Sequence, residues 1–417
     1  MRPSSRPRTA WLLLLLALLG WAGAGMASAA LPVQAAPRSA AAVSPQAPRI
    51  GVVTMEPGEL FWERFGHDAI VVDDGTDATS YNFGYFDMAE PGFVGNFIRG
   101  RMHYYLVALP LAEDLDGYRR EGRGVGVQWL DLDPAQARVL AADLALNARP
   151  ENARYRYDYF TDNCSTRVRD ALDRALGGRL RAQLSGRSRG NSWRSESVRL
   201  AWPAKWMAFG FHVGLSGAAD RPLSLWDEAF IPMRLRDSLR LATRADGRPL
   251  VAAEQSLLPH RISRPPAELP RWRVPALFIG LAVALGLGWL GRRRPRALAA
   301  IALPFWTVAG LAGLLMLYLW LGSEHHAAYG NENLLLLSPL CLGLLPLAWR
   351  ALRGRARPSR LRWLLWAVAG SAAIAGFLKF LPFLPQQNVE WVLLLLPIHL
   401  ALARAFDPRP ADGAPVA

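Results

Sequence analysis

Five apolar stretches follow one another in the C-terminal part of the chain, at roughly 273–291, 297–322, 334–352, 363–384 and 389–406. Each is long enough to cross a bilayer as an α-helix. No other feature constrains the fold as strongly, because backbone at membrane depth must satisfy its hydrogen bonds within the protein. The connections between the stretches alternate in charge. "RRRPR" (292–296) and "RALRGRARPSRLR" (350–362) are basic, whereas "GSEHHAAYGNEN" (322–333) and "PQQNVE" (385–390) contain neither Lys nor Arg. The positive-inside rule puts the basic connections in the cytoplasm, so residue 273 starts outside and the tail 407–417 ends inside. Much of the formal net charge of +14 lies beside these apolar segments. It therefore reads as a topology signal, and nucleic acid is not an expected partner.

The N-terminus points the same way. Arg2, Arg6 and Arg8 precede the apolar run "WLLLLLALLGWAGAG", and the small residues of "MASAA" follow. Residues 1–30 read as a signal peptide, or alternatively as a retained signal anchor, and 31–48 as an Ala/Pro-rich linker. Either way, the region 49–262 is exported and lies on the same side as the loop 322–333. It is long enough to bury a core of its own, and 263–272 links it to the membrane half.

This exported region holds one of only two cysteines in the 417 residues. Cys164 stands in "YFTDNCSTRVRDAL" (159–172), where Val168, Ala171, Leu172, Ala175 and Leu176 recur at helical spacing and the charged residues Arg167, Arg169, Asp170, Asp173 and Arg174 take the other face. Thr161, Asp162 and Asn163 are all candidate caps, and Gly177-Gly178 is a stop. The thiol thus sits in the first turn, where the helix dipole favours a thiolate. A structural buried cysteine and a nucleophile fit the helix equally well. The second cysteine, Cys341, lies inside an apolar stretch, so the two are not expected to pair.

Upstream, "RIGVVTMEPG" reads as a strand. His67 then opens a second strand (Ala69 to Val72), which turns at "DDGTD" into a hairpin mate, "ATSYNFGYF". A lone His is more often structural. A His at a strand mouth together with a Cys at a helix start are the parts of a papain-like thiol site.

"FGHDAIVVDDG" followed by "TDNCSTRVRDAL" resembles the circularly permuted papain-like proteins, among them lecithin:retinol acyltransferase and its phospholipid acyltransferase relatives. That resemblance implies a nucleophilic Cys164, a His67 base and a third polar residue on the next strand. Laying the hairpins together puts Asn82 of "SYNFG" at that third position, where many relatives have a second His. The motifs "FGHDAI", "YNFGYFD", "TDNCSTRVRD", "FIPMRL" and "HHAAYGNENLLLLSP", in that order, further resemble the Lnb-type family of bacterial lipoprotein N-acyltransferases.

The implied fold is α+β, a circularly permuted papain-like domain followed by an all-α membrane domain of about five helices. The implied activity transfers an acyl chain from a phospholipid to the N-terminal cysteine amine of a lipoprotein through a Cys thioester. It uses no cofactor and is sited in the inner membrane, with the thiol domain in the periplasm. Backbone N–H groups at the start of the Cys164 helix would form an oxyanion hole. Asn163 would serve either as support for that hole or as a cap, with Ser165 beside it.

Other polar clusters carry two readings each. Glu324, His325, His326, Asn331 and Asn333 crowd the outer loop, either as a polar turn or as a site for lipid head groups or substrate. The adjacent pair His325-His326 is poor metal geometry, and no metal is expected. Lys379 and Glu390, near span ends, are expected to snorkel. The aromatics of 193–211 suit either a core or a membrane interface. "LWDEAFIPMRLRDSL" (225–239) reads as a turn and helix in which Asp227 and Glu228 point apart, and His103 and His212 are expected to be packed or interfacial.

Two rival functions use the same residues differently. A thiol amidase or peptidase acting on peptidoglycan would share Cys164 and His67 but needs no five spans. A non-enzymatic membrane assembly factor would leave their pairing a coincidence.

Overall fold

The computed structural model describes residues 46–383 and 386–407. The expected signal segment, the linker up to residue 45 and the tail beyond 407 lie outside the described residues. The soluble part is α+β, built on a seven-stranded antiparallel sheet in the order β6-β4-β3-β2-β1-β5-β7. The strands are β1 (Arg49–Met55), β2 (His67–Asp73), β3 (Ala78–Tyr85), β4 (His103–Pro110), β5 (Val125–Leu130), β6 (Arg154–Arg156) and β7 (Val251–Leu258).

β1 is buried from Ile50 to Met55 because both of its faces are covered. Ile50, Val52 and Ile70 belong to the larger core, which packs helices α3 (Pro134–Asn147) and α4 (Cys164–Ala175) on one face. Val53, Met55, Ala69 and Val71 face α2 (Leu111–Glu121) on the other. A short helix, α1 (Phe93–Arg99), bridges β3 and β4.

The β2–β3 hairpin read from the sequence is present, and its register sets Ala69 opposite Asn82. α4 likewise starts at Cys164 and buries Val168, Ala171 and Leu172. One residue of its expected charged face is not at the surface. Arg169 is buried, its guanidinium 4.0 Å from the Trp226 ring and donating to the Trp226 carbonyl oxygen at 2.8 Å. The aromatic ring replaces the water that the cation loses.

Among the described residues five segments have the length and apolarity to span a membrane: Arg273–Arg293, Pro295–Leu321, Glu332–Leu352, Ser359–Leu378 and Val389–Phe406. The third departs from the expected continuous helix. It runs as short 3-10 turns, Glu332–Leu335 and Pro339–Leu344, before an α-helix, Leu345–Leu352. Pro339 and Pro346 lack the N–H groups a regular helix would use. The irregular backbone is accommodated because it is sheltered by protein. Gly313 of the second span faces it so closely that a β-carbon there would stand 2.7 Å from Pro339. The fourth helix ends at Leu378, short of the expected 384.

The outer loop ties the two halves together. The Glu324 carboxylate pairs with Arg101 at 2.5 Å and with Arg156. The Glu324 N–H donates to the Arg99 carbonyl oxygen at 2.8 Å, and a His325 ring nitrogen meets the Phe97 carbonyl oxygen at 3.1 Å. Asn331 and Asn333 are buried, and their amides donate to Val213 and Gly214 carbonyls at the end of α6 (Lys205–Gly214). Below them, Gln386 donates to Asn331 and Asn388 to Asn333, both at 2.8 Å. Four of the five loop residues singled out in the sequence thus spend polar groups on joining the domains. His326 instead lies against the Tyr329 ring.

Lys379 and Glu390 do not snorkel. Lys379 pairs with Glu332 and donates to the Gln386 carbonyl at 2.9 Å, and Glu390 pairs with Arg273 at 3.0 Å.

Candidate active site

His67 begins β2, and its Nε2 lies 3.0 Å from Asn82 Oδ1 on β3. Asn82 Nδ2 donates to Asp114 Oδ2 of α2 at 3.0 Å and to Ser80 Oγ at 3.1 Å, and Ser80 Oγ donates to the same Asp114 oxygen at 2.7 Å. This chain settles the protons of the imidazole. A carboxylate only accepts, so the NH₂ of Asn82 must face Asp114 and its Oδ1 must face His67. Nε2 therefore carries the hydrogen, and Nδ1 keeps a free lone pair. Burial holds the imidazole below its ordinary pKa, while the Asp114 charge pulls the other way.

Asp68, the next residue on the strand, points to the opposite sheet face, as strand alternation requires. It is fully buried. Thr54 Oγ1 donates to its Oδ1 at 2.8 Å, and Ser165 Oγ lies 2.7 Å from Oδ2 and also 2.7 Å from the Ala229 carbonyl oxygen. Ser165 has one hydroxyl proton for these two acceptors. That proton is shared between the Asp68 carboxylate and the Ala229 carbonyl oxygen. Burial raises this carboxyl to about 6, against the opposing Ser165 and Thr54 hydrogen bonds.

Cys164 lies at the rim between these two layers. Its sulfur faces the Asp68 backbone N–H and the first amides of its own helix. Burial and then the nearby Asp68 carboxyl push the thiol up to about 12, which outweighs the helix-dipole effect expected from the sequence. Among the described residues the thiol makes no hydrogen bond to His67; the two residues meet through the β2 backbone at Asp68. Gly84 closes the other side of the thiol. Its φ of 92° is left-handed, and a β-carbon there would be 3.4 Å from Cys164 Cβ and 3.8 Å from the Tyr155 hydroxyl.

Asn163 is a cap. Its Oδ1 accepts from the Thr166 N–H at 2.9 Å, and its Nδ2 donates to the Tyr159 and Phe230 carbonyls, each at 2.9 Å. Both amide hydrogens are spent, so it has none for an oxyanion, and the backbone N–H groups beside the thiol are the free donors. Asp68, Asp114 and Tyr155 were not singled out in the sequence. The Tyr155 hydroxyl is buried beside Cys164 with no hydrogen-bond partner among the described residues, and the Arg167 guanidinium sits 4.1 Å from its ring.

The chain carries two matches to protein families, one on each side of the domain junction. Residues 35–199, which include His67, Asn82 and Cys164, match the Lnb N-terminal periplasmic domain, and residues 273–406 match the Lnb transmembrane domain. The protein belongs to the Lnb-type family. It is a membrane protein whose N-terminal domain is the periplasmic domain of that family. No curated protein and no solved structure matches the chain.

In this Lnb-type chain the neighbourhood of the thiol is aromatic. From Cys164, the rings Tyr157 and Tyr104 stack at 4.1 Å, and Tyr104 stacks on Phe86 at 5.0 Å. In one direction Tyr157 meets Tyr159, which stacks on His325 of the outer loop. In the other, Phe86 meets Trp62, and the adjacent Phe61 stacks on Trp206 of α6. Three residues further along α6, Phe209 packs against Trp272 and Trp391 at the outer ends of the first and fifth spans. The rings form an aromatic arch that runs beside the site, with both ends on the membrane domain. The aromatics of 193–211 therefore divide, with Trp193 stacked on Phe160 in the core and Trp206 exposed on the arch.

Other titratable residues fall outside the site. Asp227 accepts from the Ser224 hydroxyl, whereas the buried Glu228 pairs with Arg189 and accepts from Asn191 at 2.5 Å. His103 is exposed rather than packed. His212 is interfacial, accepting from the Trp391 indole N–H at 2.9 Å. A cleft of about 560 Å³ near the outer ends of the first and fifth spans includes neither Cys164 nor His67. Its Arg194 is spent on Asp220, and its Arg199 and Arg234 on Glu196. Among the described residues no group of three His, Cys, Asp or Glu side chains is placed to hold a metal.

Proposed function

We propose that this protein is an N-acyltransferase of the bacterial inner membrane. It moves an acyl chain from a phospholipid to the N-terminal cysteine amine of a lipoprotein, with Cys164 as nucleophile and His67 as base. The observation that carries the reading is the oriented imidazole, His67 to Asn82 to Asp114, beside a thiol at a helix start, in a domain hydrogen-bonded to the outer loop of a five-span bundle.

Thiol and imidazole are both neutral at rest, so the proton moves as the bond forms. Cys164 sulfur attacks the ester carbonyl while His67 Nδ1 takes the thiol proton. The oxyanion is held by backbone N–H groups at the start of α4 and by the Tyr155 hydroxyl. The C–O bond breaks, the lysophospholipid oxygen takes the proton from His67, and an acyl-thioester remains. The lipoprotein amine then attacks the thioester, the C–S bond breaks, and the amine proton returns through His67 to sulfur. The papain-like, circularly permuted order of His before Cys fits this role for each residue.

Mass spectrometry of a lipoprotein's N-terminal peptide tests the reading, using cells that lack their own N-acylation and carry either this protein or Cys164→Ala. Conversion of diacyl to triacyl peptide by the wild type alone is expected. No conversion by a wild type that is present in the membrane overturns the lipoprotein acceptor.

A further inference from the structure

The arch leaves apolar side chains that nothing among the described residues covers. Val94 and Ile98, four residues apart on α1, are 64% and 47% exposed, while Phe93 and Phe97 of the same short helix face the core around Cys164. Trp62 and Trp206, on the other limb, are 45% and 67% exposed. Single exposed apolar residues are ordinary, but a row of them on one rim is not.

What covers them follows from their height. The end of α1 is hydrogen-bonded to the loop that leaves the second span, through Phe97 and Arg99 to His325 and Glu324. Trp206 is joined, one helical turn away, to the Trp272–Trp391 pair at the outer ends of the first and fifth spans. Exposed span residues at this level, Leu321 and Phe377, already require lipid. Arg99 and the Arg101–Glu324–Arg156 cluster, which keeps one net positive charge, stand just beside the rim, at the level suited to anionic head groups.

We propose that Trp62, Val94, Ile98 and Trp206 are immersed in the acyl-chain region of the periplasmic leaflet, so that Cys164 opens onto lipid through the aromatic arch. Immersion rests on the fold alone. Its use, admitting the donor's acyl chain to the thiol without passage through water, rests on the acyl-transfer reading.

Spin labelling of the full chain in phosphatidylethanolamine/phosphatidylglycerol vesicles tests the immersion. Labels are placed at Val94→Cys and Ile98→Cys in a Cys164→Ser, Cys341→Ala background. Val139→Cys, exposed on α3 away from the arch, is the reference. Labels at 94 and 98 are expected to give a ratio of oxygen to nickel-chelate collision rates several-fold above that at 139. Equal ratios at all three positions overturn the proposal.

The donor route is read separately with Val94→Asp/Ile98→Asp on the native thiol. Acylation of Cys164 from bilayer phospholipid is expected to fall at least tenfold, with acylation by a water-soluble short-chain ester unchanged. Equal loss with both donors overturns the route. If the wild-type thiol is acylated by neither donor, the acyl-transfer reading fails while the spin-label result still decides immersion.

Discussion

His67 and Asn82 stand 3.0 Å apart on adjacent strands, and the orientation of that hydrogen bond is dictated by a third residue, Asp114, which neither of them neighbours in sequence. Asn82→Ala removes the imidazole's partner and leaves Asp114 only its Ser80 hydrogen bond. Transfer rate is expected to fall by roughly a hundredfold, the scale of a positioned general base, with protein level in the membrane unchanged. Rate measurements on purified protein check this.

Asp114→Asn separates orientation from charge. The carboxylate raises the His67 pKa against burial, so its removal lowers that pKa further. A neutral imidazole then persists to lower pH. The acid limb of the pH profile of kcat/KM is expected to move down in pH, and an unmoved limb would exclude an electrostatic role for Asp114.

Tyr155→Phe deletes a buried hydroxyl that has no partner among the described residues. Nothing is left unpaired by the change, so stability is expected to hold or rise slightly. If the hydroxyl meets the oxyanion, the acylation rate falls by roughly a hundredfold, the scale of a lost oxyanion donor. Thermal unfolding and single-turnover acylation, measured on the same preparation, distinguish the two effects.

Asp68 makes stability depend on pH. Its folded pKa, about 6, lies above the unfolded value of 3.8. The folded state therefore holds the proton more tightly, and this contribution is fully present below about pH 4 and lost as pH rises through 6. The loss amounts to about 3 kcal/mol by the size of the shift. In Asp68→Asn the difference between unfolding at pH 4.5 and pH 7 is expected to shrink relative to wild type, measured by thermal melts in detergent.

Asn333→Leu tests the joint between the halves. It strands the Asn388 amide in a buried site, at about 1–3 kcal/mol for the unsatisfied group, and leaves the Val213 carbonyl with Asn331 alone. A lower melting temperature and faster proteolysis at the α6–loop contact are expected, with the thiol itself unaltered.

Much of this protein is written in local pattern. Apolar runs of bilayer length and alternating loop charge are enough to mark the five spans, because lipid leaves backbone few alternatives. The β2–β3 hairpin and the start of α4 were legible for a similar reason. Alternation, a turn sequence and Asn163 capping Thr166 all act over a few residues. The third span was not fully legible, since its broken backbone persists only because Gly313 and its neighbours shelter it.

The electrostatics and the joints were decided by tertiary contact. Helix-dipole reasoning alone puts a low-pKa thiol at Cys164, yet burial and Asp68, 96 residues away by numbering, push it up instead. Asp114 and Tyr155 give no local signal, because their roles arise from which strands and helices pack together. Glu324, Asn331 and Asn333 look in sequence like a polar loop awaiting a ligand. Their partners, Arg101, Arg156 and the Val213 carbonyl, come from the other domain. Patterns that repeat along the chain specify its helices and strands, whereas a pKa or a docking contact depends on residues that only folding brings within a few ångströms.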